Sequence, residues 1–198
     1  MYIVIKRYLD ILFSILVLIV LSPVYLLTAI VIKLESPGPV IFKQDRLGRN
    51  GRVFKVFKFR SMVTGAEKMG SGQYSFKGDP RVTKVGHLIR LTSIDELPQV
   101  FNILLGDMSW IGPRPPLIYH PCRYEDYSEQ DKRRFTVRPG ITGWAQVNGR
   151  KEIDWKKRIA FDLEYVDKVS LLFDLKIALT TVGKLLMMSD NVNVDKTV

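Results

Sequence analysis

Several things are scarce in this chain of 198 residues. Its single cysteine, Cys122, permits no internal disulfide and no cysteine-rich zinc site, which suits a reducing compartment. The two histidines, His87 and His120, show no metal-ligand spacing and are expected to be surface or hydrogen-bonded side chains. Glycine and proline are not in excess, and no tandem repeat stands out. Neither a G-x-x-x-x-G-K-S/T loop nor a G-x-G-x-x-G fingerprint occurs, so the common nucleotide-binding folds are not indicated.

What is present is enough apolar material, 46% of the residues, for one domain with a real core, and a formal net charge of +10. That charge calls for a polyanionic partner: nucleic acid, an anionic membrane surface or a phosphate-bearing substrate.

Residues 11–32 form 22 consecutive positions without a charge. A straight helix of that length rises about 33 Å and could span a bilayer. Ser22-Pro23 lies at its middle, and proline there removes a backbone hydrogen bond and forces a kink. Both flanks are basic, with Lys6 and Arg7 before and Lys33, Lys43, Arg46, Arg49 and Arg52 after. A re-entrant hairpin that enters and leaves by the cytoplasmic face satisfies both flanks and is preferred here to a single kinked span.

Beyond the turn Ser36-Pro37-Gly38-Pro39, short strands are expected at residues 40–43 and 53–59, joined by a Gly- and Arg-rich loop. Alternation along the second strand mixes aromatic and basic side chains, a weak nucleic-acid signal. Residues 65–79 read as a mobile polar loop, and helices are expected at 82–91, 98–105, 124–134 (on the surface), 154–167 and 171–188. The last of these is apolar around much of its circumference; it lies on the membrane interface or in the core.

The chain is organised around Thr92-Ser93-Ile94-Asp95-Glu96-Leu97-Pro98-Gln99. Ser93-x-x-Glu96 fits a capping box, but Pro98 would then fall in the second helical turn, at a cost of about 3 kcal/mol. With Pro98 opening the helix, Asp95 and Glu96 remain in the turn before it, and both readings stay open on local evidence. Gly112-Pro113-Arg114-Pro115-Pro116 is stiff enough to hold Arg114 in place, or else is a plain turn. Paired carboxylates with separated arginines at 90, 114, 138 and 150 suit nucleophilic attack on a diphosphate, whose charge arginine forks and magnesium neutralise.

The chain resembles the bacterial sugar transferase family, the monotopic phosphoglycosyl transferases that act on polyprenyl phosphate. The matches run in order: Lys6-Arg7-Tyr8-Leu9-Asp10, Ser22-Pro23, Ser36-Pro37-Gly38-Pro39 with Phe42-Lys43-Gln44, Lys58-Phe59-Arg60-Ser61-Met62, Ser93 to Gln99, Gly106-Asp107-Met108-Ser109 with Ile111 to Pro115, and Arg138 to Gly143 with Gln146 to Arg150. The resemblance implies transfer of a sugar 1-phosphate from a UDP-sugar to undecaprenyl phosphate, with release of UMP, as the first membrane step of surface glycan biosynthesis. It makes Asp95 the nucleophile and magnesium site, and Glu96 its partner. It puts Arg90, Arg114, Arg150 and Lys58 near the phosphates and makes Ser22-Pro23 the break in the membrane helix.

The fold class expected is α/β, mostly α with a short β-hairpin. A re-entrant membrane hairpin (1–35) would precede a cytoplasmic catalytic domain (36–198) with interfacial amphipathic helices, held at the inner membrane. A homodimer is the default assembly. Where the family usually has Arg-Pro-Gly, this chain has Arg46-Leu47-Gly48. It lacks the extra N-terminal membrane bundle of larger members, and is expected to be a minimal catalytic unit. Two other classes remain: a membrane-attached nucleic-acid-binding protein, although no nucleic-acid partner is expected, and a non-catalytic scaffold. Residues 65–79 and 117–136 are candidates for choosing the sugar.

Overall fold

The computed structural model describes residues 2–70, 72, 75, 76, 78–149 and 153–186. It is mixed α/β and mostly helical, with two small two-stranded sheets.

Helices α1 (Tyr2–Val20) and α2 (Ser22–Glu35) meet at a bend of 62°. Pro23 has no N–H to give to the Ile19 carbonyl, four residues back, and the Ser22 hydroxyl takes that carbonyl instead at 2.9 Å. The Ser-Pro pair therefore bends the helix and satisfies the acceptor that the bend strands. No single described helix is long and apolar enough to cross a membrane, although the bent pair passes that test together. One face of each helix packs on the body. Asp10 and Ser14 are buried, with Asp10 accepting from the Trp110 backbone N–H (3.2 Å) and Ser14 from the Trp110 indole (3.0 Å). The opposite faces expose Leu12, Leu16, Ile19, Leu26, Leu27 and Ile30.

Strands β1 (Ile41–Leu47) and β2 (Val53–Phe59) pair antiparallel, Ile41 against Phe59 through Leu47 against Val53. The first strand is longer than expected, because Gln44, Asp45 and Arg46 continue the ladder that the loop reading had ended at residue 43. Asn50 and Gly51 supply the two left-handed residues of the tight turn. The backbone N–H of Leu47 donates to the Pro116 carbonyl at 3.0 Å, a bond that the proline usual at this position could not make. Phe54 and Val56 bury into one cluster with Ile103 and Met108, while Phe59 buries into another with Ile32 and Ile89.

The chain continues through α3 (Lys84–Leu91) and α4 (Gln99–Leu105). The described part of the 65–79 segment is tied down, since the Arg81 guanidinium donates to the carbonyls of Ala66, Met69 and Gly72 and pairs with Asp79 at 2.6 Å.

Strands β3 (Ser109–Ile111) and β4 (Gly140–Thr142) form a short parallel pair that no run of residues announces. The helix expected at 124–134 is corrected. The segment divides into a 3-10 turn at Tyr124–Asp126, a short α5 (Glu129–Lys132) capped by Ser128, and a second 3-10 turn at Arg133–Phe135. The backbone is extended at Tyr127 and Ser128 (ψ 139° and 155°), which ends the first turn and starts α5 afresh, while Tyr127 and Phe135 pack onto Leu47. After the short α6 (Trp144–Val147), α7 (Trp155–Lys168) starts on its Asp154 cap, and α8 (Leu171–Leu186) follows. Helix α8 is partly in the core: Ile177 packs with Tyr165 and Val147, while Leu171, Leu172, Leu175, Leu179 and Val182 are exposed.

Candidate active site

Asp95 and Glu96 occupy a 3-10 turn, Ile94–Glu96, between α3 and α4. Ser93 enters it at φ 58°, a left-handed conformation that costs a non-glycine residue roughly 1–2 kcal/mol. Its side chain caps nothing, so the capping-box reading is corrected. Pro98 sits at the cap position of α4, where a missing N–H does no harm.

Two contacts fix this turn. Asn102, fully buried on α4, receives the Phe57 N–H (2.9 Å) and donates to the Lys55 carbonyl (2.7 Å), so the helix is stitched to β2. Tyr25 of α2 donates its hydroxyl to the Leu97 carbonyl at 2.6 Å. The dyad is thereby held against both the hairpin and the bent helix pair.

Lys58 of β2 and Arg114 converge on Glu96, each 2.7 Å from Oε1. Asp95 is less engaged: its nearest cation is the Lys58 ammonium at 4.0 Å. Its side chain is 13% exposed, against 20% for Glu96. Burial works to raise both carboxyls. For Glu96 the Arg114 and Lys58 charges outweigh it and hold the group well below the usual carboxylate range. For Asp95 burial prevails, with the Glu96 charge adding to it against Lys58, Arg90 and Arg114, and the group is pushed up. Neighbouring carboxyls thus titrate in opposite directions. Arg114 is held charged by Glu96.

Arg114 is set from behind. Its carbonyl accepts from Arg134 (3.1 Å), the next carbonyl but one, that of Pro116, from Leu47, and that of Pro115 from Arg46 (3.1 Å). Arg134 in turn pairs with Asp162 of α7 at 2.6 Å. Gly112 has no room for a side chain, since a Cβ would come within 2.4 Å of the Arg138 carbonyl. The stiff loop is therefore more than a plain turn.

Of the residues singled out from sequence, Asp95, Glu96, Lys58 and Arg114 come together. Arg90 lies close enough for its charge to act on Asp95, while its guanidinium donates to Ser61 (2.8 Å) and Ser75 (2.9 Å). Arg150 lies outside the described residues. Sequence reasoning missed Arg46 as a part of the site. Burial, followed by the nearby Arg114 charge, pushes its guanidinium down to about 10. Arg158 of α7 also faces Arg114. It missed Arg134 and Asp162 as well, because nothing in a charged run marks which arginine will be buried.

The sequence profile of the bacterial sugar transferase family matches residues 1–188. The chain belongs to this family. It is 49% identical over 185 residues to the UDP-glucose:undecaprenyl-phosphate glucose-1-phosphate transferase of Escherichia coli K12, covering 90% of this chain and 39% of that protein. With the uncharacterized sugar transferase EpsL of Bacillus subtilis 168 it shares 44% identity, over 93% of this chain and 88% of that one. A third family member is the UDP-N-acetylgalactosamine-undecaprenyl-phosphate N-acetylgalactosaminephosphotransferase of Aeromonas hydrophila, 44% identical over 93% of this chain and 44% of its own length. The chain thus spans well under half of two of these relatives and most of the third.

Proposed function

We propose that the protein moves a sugar 1-phosphate from a UDP-sugar to undecaprenyl phosphate in two displacements, with Asp95 as the nucleophile. The observation that carries the reading is the asymmetry of the dyad. Glu96 is locked by Lys58 and Arg114, whereas Asp95 keeps its carboxylate oxygens outside hydrogen-bond range of any described cation. The relatives named for undecaprenyl-phosphate sugar transfer support the same substrate class.

In the first displacement an Asp95 oxygen attacks the sugar-bearing phosphorus, the bond from that phosphorus to the bridging oxygen breaks, and UMP leaves with the oxygen. In the second, a phosphate oxygen of undecaprenyl phosphate attacks the same phosphorus and Asp95 leaves as a carboxylate. Lys58, Arg90 and Arg114 oppose the added negative charge of the diphosphate, and Arg46 keeps the Arg114 loop from drawing back. The locked Glu96 fixes both cations at the spot where they are needed, so that little reorganisation accompanies the reaction.

Among the described residues no three acidic, histidine or cysteine side chains converge. The lone Asp95 carboxylate suits Mg²⁺, which one or two carboxylates and substrate phosphates commonly hold, and Asp95 would be the residue that holds it. When bound, the ion would supply charge neutralisation at the diphosphate.

In this reading residues 1–35 form a re-entrant hairpin whose ends both lie on the cytoplasmic face of the inner membrane, and the rest of the chain rests on that surface. The exposed leucines of α8 and Leu88, Phe101 and Leu105 are further apolar side chains available to that surface. Incubation with radiolabelled UDP-sugar in the absence of acceptor should leave label covalently on the protein, and Asp95→Asn should abolish it. Turnover that persists in Asp95→Asn, or that requires both substrates bound together, would overturn the proposal.

A further inference from the structure

At the far end of α4 from the dyad lies a second charged cavity, of about 110 Å³, between α1, the β1–β2 turn and the β3–β4 pair. Lys6, Arg7, Arg49 and Arg138 line it, with Asp10 and Ser109. Lys6 is neutralised by Asp174 at 2.6 Å. The other three cations face one carboxylate, that of Asp10, and none of them forms an ion pair within 4.0 Å among the described residues.

The bland account is that these arginines close the C-terminal end of α4, and it explains part of the arrangement. Arg7 donates to the carbonyls of Ile103 (2.6 Å) and Leu104 (3.1 Å), and Arg138 donates through Nε to that of Gly106 (2.9 Å). It does not explain Arg49, which reaches the same cavity from the hairpin turn and spends only its Nε, on the Thr136 carbonyl at 3.1 Å. The terminal Nη groups of Arg49 and Arg138 find no acceptor among the described residues. Ser109, 1% exposed, also lines the cavity, with its hydroxyl turned to the Asp10 carboxylate. Burial, then the Arg7 and Arg49 charges, pulls the Arg138 guanidinium below its ordinary range, and the Asp10 carboxylate offsets this only in part. Two guanidinium forks with open Nη donors form a donor set that a phosphate oxygen cluster satisfies.

The setting indicates where the phosphate comes from. Ile3 and Lys6 of α1 line the cavity, Lys6 is paired with Asp174 of α8, and Val4, Tyr8 and Leu172 are exposed on these two helices. We propose that this cavity binds the phosphate of an anionic phospholipid headgroup, whose acyl chains run along the apolar faces of α1 and α8. The inference rests on the reading of residues 1–35 as membrane-embedded, and it adds a lipid site separate from the one used in catalysis. Its effect is to add a bridge from the hairpin turn to the N-terminal helix and the α4 end, which Arg7 already joins.

Native mass spectrometry of the full-length protein in a neutral detergent tests this, with phosphatidylglycerol, phosphatidylcholine and inorganic phosphate titrated separately. Saturable binding of phosphatidylglycerol, at least about ten-fold tighter than phosphatidylcholine, is expected. Arg49→Gln and Arg138→Gln should each weaken it about ten-fold, and Asp95→Asn should leave it unchanged. Arg49 is at the surface, so its variant decides the matter if the Arg138 variant fails to fold. Equal binding of both lipids, unchanged affinity in Arg49→Gln, or capture of free phosphate without lipid would each overturn the assignment. Loss of the underlying membrane reading shows separately, as failure of the wild-type protein to partition into pure phosphatidylcholine vesicles; failure of the headgroup site alone leaves that partitioning intact.

Discussion

Two acid–arginine clusters flank the Arg114 loop. In the Arg134–Asp162 pair both side chains are 1% exposed, the charges match one to one, and the pair lies 2.6 Å apart. In the other, Asp95 and Glu96 stand among Lys58, Arg90 and Arg114, remain partly open to solvent, and share the cations unequally. A closed pair can position its neighbours but is out of a ligand's reach, even though Arg134 Nη1 and Asp162 Oδ1 keep no hydrogen-bond partner among the described residues. A mismatched cluster holds a carboxylate ready and cations in surplus, which is the arrangement a phosphate ester requires. The molecule places the first behind the second, linked by the Arg134 bond to the Arg114 carbonyl.

The sharpest way to break this contrast is to swap the consequences. Asp95→Asn should lower UMP release by at least about a thousand-fold while the protein stays folded, as judged by its thermal midpoint. Asp162→Asn should do the reverse. It leaves a buried guanidinium without its partner and should cost about 3–5 kcal/mol of stability in a denaturant titration, with turnover in the folded fraction falling far less. Replacing both members, Arg134→Met with Asp162→Leu, should recover most of that loss, whereas no second change should rescue Asp95→Asn. Between these extremes, Arg114→Lys keeps the charge but loses the fork, and turnover should fall about ten- to a hundred-fold.

A pH series sharpens the comparison within the dyad. The Asp95 carboxyl is raised on folding, so its ionisation opposes the fold. That opposition is absent below its unfolded value, grows as pH rises, and is complete above the folded one. Asp95→Asn should therefore stabilise the protein at neutral pH, and the gain should vanish in acid. The Glu96 carboxyl is depressed, so it contributes stability that is present above its unfolded value and lost as pH falls through the folded one. Glu96→Gln should destabilise at neutral pH, the opposite sign one residue away. The smallest effect expected is for Ser93→Gly, which relieves the left-handed backbone before the dyad and should add about 1 kcal/mol.

Legibility from sequence followed the range of the interaction. The break at Ser22-Pro23, the 53–59 strand and the helix behind Pro98 all depend on groups within a few residues of each other, and each was found where pattern placed it. The reading of 124–134 as one surface helix failed at Tyr127 and Ser128, whose backbone is extended, and Tyr127 packs on Leu47, some eighty residues earlier in the chain. The parallel pair of β3 with β4 failed for the same reason, and its strands are too short to show a period. Arg46 was counted as a basic flank and as half of an altered motif, yet it braces the Arg114 loop. No local signal separates a bracing arginine from a solvated one.

The order of residues alone determined the bent apolar helix pair, the adjacent carboxylates in a turn ahead of a proline, and the supply of arginine, since all three are matters of composition and near-neighbour geometry. Folding decided which carboxylate would be locked and which left open, because that depends on where Lys58 and Arg114 arrive from distant segments. It also decided which arginines became scaffold and which gathered, uncompensated, at the far end of α4. Charge acts through space and burial, and neither is written along the chain.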